Sequence, residues 1–84
     1  MNLSMCTVYF DAGKFSEATI VPAVGQKGWY LEIKYKNSLN RFNVTRQRGG
    51  DCVYKSLDAA WSASACIGFR EVTVKHSGSM LDYL

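Results

Sequence analysis

The run WYLEIKYK, residues 29–36, decides how this chain is read. Its side chains alternate, with Trp29, Leu31, Ile33 and Tyr35 on one side and Tyr30, Glu32, Lys34 and Lys36 on the other. A period of two with one apolar side marks a half-buried strand. Asn37-Ser38 follows as a turn pair. The next run, NRFNVTR (residues 40–46), alternates in the same way, with Phe42 and Val44 against Arg41, Asn43 and Thr45. A two-residue turn between the runs sets Ile33 opposite Phe42 and Leu31 opposite Val44. Both pairs are apolar, so this register suits both strands. It also sets Lys34 opposite Arg41 on the polar side. Like charges directly opposed are unfavourable, and an inert surface would more naturally pair Lys34 with an acid.

Working downstream, Gly49-Gly50 is a hairpin signal, because both residues adopt positive φ freely. A short third strand is expected over residues 52–55. Its facing depends on the turn: a two-residue turn points Val53 inward, and a bulged three-residue turn points Tyr54 inward. Tyr54 is favoured because a helix follows directly. Ser56 is an N-cap, and Asp58 lies at the positive end of the helix dipole. Leu57, Ala60, Trp61, Ser64 and Ile67 form the expected buried stripe. Ala59, Ser62, Ala63 and Cys66 form a small, uncharged opposite face with room for another element or a second copy. Gly68 ends the helix, with Phe69 packing back on it. FREVTVKH, residues 69–76, reads as a closing strand, and residues 77–84 as a short tail.

Upstream, CTVYF (residues 6–10) reads as a first strand and ATIVPA (residues 18–23) as a second. Pro22 places the second run at a sheet edge or a strand end. Residues 25–28 make a turn. The expected fold is therefore α+β: a mainly antiparallel sheet of four to five strands with one helix on one face. Residues 1–76 form a single small domain.

Composition bounds the function. The chain has 84 residues, 48% hydrophobic and 13% aromatic, which fits one ordered domain. The net charge is +3, but residues 27–55 hold seven basic residues and two acids, a balance of +5 that leaves −2 for the rest. Three cysteines without short spacing are neither a disulfide framework nor a zinc site. The start shows no signal peptide and no apolar run long enough to span a bilayer. A reduced, cytoplasmic protein with no membrane partner is expected. The single histidine, His76, has no nucleophile in a recognisable motif beside it, and the acids are scattered. No glycine pattern forms a phosphate loop. The expectation is no enzyme, no metal and no cofactor.

An open sheet face carrying Tyr30 among Lys34, Lys36, Arg41 and Thr45 has the composition of a nucleic-acid-binding surface. Lysine and arginine would contact phosphates, and Asn43 and Gln47 base edges. Arg48 sits at the hairpin tip. Arg46 falls in phase with the core residues Phe42 and Val44, across from Trp29, where a cation–π contact is expected. Glu32 in the middle of the face counts against the reading. The expected function is a non-enzymatic nucleic-acid-binding or DNA-associated accessory protein. Its contacts would be Tyr30, Lys34, Lys36, Arg41, Asn43, Thr45, Arg46 and Arg48, and its partner duplex DNA. The alternative is a protein–protein adaptor or a self-associating module, such as a homodimer, without nucleic-acid contact. Trp29 and Trp61 are both expected in the core.

Two resemblances bear on this. GWYLEIKYKNSLNRFNVTRQRGGDCVYKSLDAAW, about two fifths of the chain, resembles the layout of the arm-type DNA-binding domains of tyrosine recombinases and of plant ethylene-response-factor domains. That likeness implies a three-stranded sheet entering the major groove, supported by a helix that begins at a YKSLDAAW-like segment. The strand expected at residues 69–76 departs from the pattern. VYKSLDAAWSASACIGFREVTV, about a quarter of the chain, resembles the C-terminal part of small partition-associated, ParC-like proteins of plasmids and integrative elements. That likeness implies an accessory role on a mobile element and no defined activity.

Overall fold

Alternation in β2 (Trp29–Tyr35) does what the pattern demands: Leu31 and Ile33 are fully buried, and Trp29 and Tyr35 pack against them half-buried. The computed structural model describes residues 1–75; His76 and the expected tail at 77–84 lie outside the described residues. Strand β2 lies between β1 (Phe15–Pro22) and β3 (Arg41–Asn43), antiparallel to both. The β2–β3 register is the expected one, with Ile33 opposite Phe42 and Lys34 opposite Arg41. The Tyr35 N–H donates to the Asn40 carbonyl at 3.1 Å, so the connection is a four-residue loop, 36–39, rather than a two-residue turn.

A fourth strand, β4 (Thr73–Val74), joins the far side of β1 in parallel, giving the order β3-β2-β1-β4. The sheet is thus mixed, though mostly antiparallel. The closing strand is much shorter than residues 69–76. Pro22 does end its strand, but β1 is interior; pairing with β4 covers only Thr19 and Ile20, so the missing N–H disrupts nothing there.

The first expected strand is a helix, so there are two helices rather than one: α2 packs on β1 and β2, and α1 packs on α2. Residues 6–10 fall inside α1 (Leu3–Asp11), capped by Asn2, whose Oδ1 accepts from the Met5 N–H at 3.0 Å. Thr7, poor in helices, donates its hydroxyl to the Leu3 carbonyl at 3.1 Å. The β-prone composition of this run is outweighed because helical spacing puts Leu3, Cys6 and Phe10 on one side, against the core.

Helix α2 (Leu57–Ile67) begins at Ser56, whose Oγ accepts from the Ala59 N–H at 3.1 Å. Its buried residues are Ala60, Ala63, Ser64 and Ile67, while Leu57 and Trp61 face solvent. The buried stripe is thus rotated from the expected one, and Trp61 is not in the core. The physical reason is α1: α2 is wedged between α1 and strands β1 and β2, and small residues permit that close approach. At the C-terminus, the N–H groups of Gly68 and Phe69 both donate to the Ser64 carbonyl. Gly68 has φ 131, and a Cβ there would meet the Phe10 ring at 2.6 Å. Phe69 then packs edge-on against Phe10 at 4.8 Å.

Residues 52–55 form no continuous strand. The chain turns back at Gly49 and Gly50, both at positive φ, and makes single bridges, Thr45 to Asp51 and Trp29 to Tyr54. Trp29 and Tyr54 exchange backbone bonds of 2.9 and 2.8 Å, and the Tyr54 side chain packs against the core, the favoured facing. Tyr54 therefore occupies the place across from Trp29 that Arg46 was expected to fill.

Candidate binding surfaces

With α2 packed on one side of the sheet, the other face carries the polar residues, exposed at its margins and buried at Thr19 in its middle. The pairings place Glu17, Thr19 and Val21 of β1 beside Lys34, Glu32 and Tyr30 of β2, with Arg41 and Asn43 of β3 beyond and Thr73 of β4 next to Thr19. The expected opposition of Lys34 and Arg41 is present. It is relieved within the chain, however. Arg41 Nη1 lies 3.1 Å from Glu32 Oε1, and Arg41 Nη2 lies 3.5 Å from Glu17 Oε1. Two cations and two carboxylates share this part of the face, so its formal charge cancels. Glu17 is the residue the sequence reading missed. The expected strand begins at Ala18, yet Glu17, Thr19 and Val21 against Ala18 and Ile20 continue the same alternation.

The remaining expected contacts are dispersed. Tyr30 is half-buried opposite Val21. The Asn43 side-chain amide donates to Asp51 at 3.3 Å, and the Thr45 N–H donates to the Met1 carbonyl at 2.9 Å, so both are partly engaged. Lys36 lies in the β2–β3 loop, its N–H bonded to the Lys14 carbonyl at 2.9 Å. Arg46 and Arg48 are exposed on the hairpin at 46–50. Arg46 does not stack on Trp29; its guanidinium lies over Gly50, where an added Cβ would meet Nη2 at 2.9 Å. A side chain at Gly50 would displace that arginine. Lys34, Lys36 and Arg41 thus sit toward the Tyr35 end of β2, apart from the hairpin arginines.

The outer side of the helix pair is built differently. Met5, Val8 and Tyr9 of α1 follow the i, i+3, i+4 spacing of one side, and Leu57 and Trp61 of α2 are four apart. All five are exposed, Trp61 by 58% and Val8 by 65%. The only charged residues in the two helices are Asp11 and Asp58. Single exposed apolar residues are ordinary on proteins, but five of them on two helices that carry no cation make these helices the candidate for an interaction surface. The signal was present in the sequence as a helix without cations, but it pointed to the wrong side of α2.

Among the described residues, every buried side-chain nitrogen and oxygen has a hydrogen-bond partner, and no cluster of His, Cys, Asp and Glu is placed to hold a metal ion. Burial pushes the Cys6 thiol above its ordinary value. Burial, then a hydrogen bond with Cys52 and the neighbouring thiols, pushes the Tyr54 phenol well up. Both shifts favour the neutral form of the side chain. No helix among the described residues is long and apolar enough to cross a membrane. Compared with known proteins, the chain matches no family model, no curated protein and no solved structure.

Proposed function

We propose that this chain is a non-enzymatic interaction module that associates with a second copy of itself through the outer side of its helix pair. The observation that carries this reading is the set of five solvent-facing apolar residues, Met5, Val8, Tyr9, Leu57 and Trp61, on helices devoid of Lys and Arg. Charge favours a second copy as the occupant. All ten basic residues lie outside the helices in a chain of net charge +3, so two copies repel least when they meet here. Ala65, four residues after Trp61 on the same side of α2 and also exposed, is small enough to let a partner approach Trp61 as an anchor. A two-fold arrangement uses the same patch on both copies. Sedimentation over a rising protein concentration tests this. A dimer that Trp61→Asp converts to monomer is the expected result. A wild-type monomer into the high micromolar range would end the self-association reading and leave a different protein as the occupant.

A second reading, nucleic-acid binding, is supported by the state of the cations. Among the described residues Arg41 alone of the basic side chains is ion-paired, which leaves Lys34, Lys36, Arg46 and Arg48 able to meet phosphates. On this reading the contacts lie at the end of the sheet and on the hairpin, not at the neutralised centre of the face. A partition-associated role on a mobile element rests on the sequence resemblance alone. Titration of labelled duplex DNA at several salt concentrations is the test, since displaced counterions give a steep negative salt slope. Absence of binding at low salt would remove this reading.

A further inference from the structure

A shallow cavity of about 480 Å³ opens where β2 turns toward β3, lined by Ser16, Lys34, Lys36, Asn37, Ser38 and Leu39. Its walls are tied in place. The Lys36 N–H donates to the Lys14 carbonyl at 2.9 Å, the Ser16 hydroxyl donates to the Lys34 carbonyl at 3.4 Å, and the Asn40 N–H donates to Ser38 Oγ at 3.0 Å. Asn37 has φ 58, the one described residue other than glycine in the left-handed region, which asparagine tolerates better than most side chains. The Ser38 oxygen accepts from Asn40, so its own hydrogen is still available to donate.

The charge at this cavity follows from the neighbouring row. Glu17 is the cross-strand partner of Lys34 and its natural counter-ion, but Glu17 and Glu32 both lie against Arg41, at 3.5 and 3.1 Å. Arg41 thereby occupies the carboxylates, and among the described residues neither Lys34 nor Lys36, two residues on, has an ion pair. A lining with two lysines, two serines and an asparagine, and no acid, matches the charge and donor demand of a tetrahedral oxyanion.

We propose that this cavity binds one phosphate group of a nucleic-acid backbone, held by Lys34 and Lys36 with Ser38 and Asn37 as neutral donors. The proposal rests on the nucleic-acid reading and locates its strongest contact. Arg41 then serves as the positioning residue that keeps Glu17 away from Lys34.

Two measurements test it. Inorganic phosphate titrated into isotope-labelled protein should move the amide resonances of residues 36–39 first. Labelled duplex DNA should then bind the double variant Lys34→Gln, Lys36→Gln on the order of tenfold more weakly at 0.1 M salt, with about 1 taken from the log–log salt slope. Lys34→Arg with Lys36→Arg should retain most of the affinity. If the glutamine variant binds duplex as tightly as the parent, the cavity proposal is overturned while the nucleic-acid reading stands. If the parent binds no duplex at low salt, both fall. A phosphoserine peptide that binds where duplex does not would overturn the nucleic acid as the source of the phosphate.

Discussion

On the polar face of the sheet, Arg41 reaches Glu32 at 3.1 Å and Glu17 at 3.5 Å; on the two helices, Trp61 and Val8 stand 58% and 65% exposed. The first surface satisfies its charges by contacts among its own strands. The second leaves apolar area that nothing among the described residues covers. Composition ranks them the other way round, because the strand sequences are rich in charge and the helix sequences are small and bland. Charge that is internally paired offers little to a partner, since screening and hydration have already reduced its value. Uncovered apolar area keeps its full drive for association.

The largest expected effect would break this contrast outright. Trp61→Asp should weaken self-association by about 30-fold or more, the loss of one interface hot spot, and should leave the thermal midpoint of the monomer little changed. Sedimentation and thermal melts on the same samples separate the two effects. Next in size, Ser56→Ala removes the cap of α2 and should cost about 1 kcal/mol, or about 4–8 °C in Tm, measured by calorimetry. Arg41→Ala should cost about 0.5 kcal/mol at low ionic strength, and the difference should shrink in high salt. A cost that persists in high salt would mean that Arg41 matters through packing, and the picture of a self-neutralised face would need revision.

The smallest effect concerns the inner side of α1. The folded-state value of the Cys6 thiol is raised, so its contribution to stability is complete below the ordinary value of 9.0 and is lost as the pH climbs through the raised one. Stability should therefore fall with alkaline pH more steeply in the parent than in Cys6→Ala, as denaturant melts at several pH values would reveal. Cys66, exposed on α2, should react with a thiol reagent in the native state under conditions that spare Cys6.

Much of the fold could be read from particular residues. The alternation of β2, the pairing of Ile33 with Phe42, the Ser56 cap and the Gly68 stop are all present. The helix at the start is masked in the sequence because the β-prone residues of CTVYF outnumber the helix signals, which are the Asn2 cap and the Leu3, Cys6, Phe10 spacing. Of the expected nucleic-acid contacts, Lys34 and Arg41 meet as anticipated, whereas the place expected for Arg46 opposite Trp29 went to Tyr54. That exchange was hidden, because it depends on how residues 46–53 loop out before the chain returns to β2.

The features legible in the sequence share a short range. A strand's alternation, a cap three residues from its amide and a turn between adjacent strands are settled by neighbours a few positions apart. Those decided by tertiary structure involve partners far along the chain. Packing of α1 on α2 rotated the buried stripe and turned Trp61 outward, and the approach of β1 to β2 brought Glu17 to Arg41, 24 residues away in the chain. The parallel docking of β4 on β1 is of the same kind. A side chain's own sequence context states whether it prefers water or an apolar neighbour; which neighbour it meets depends on the space left once every other element has packed.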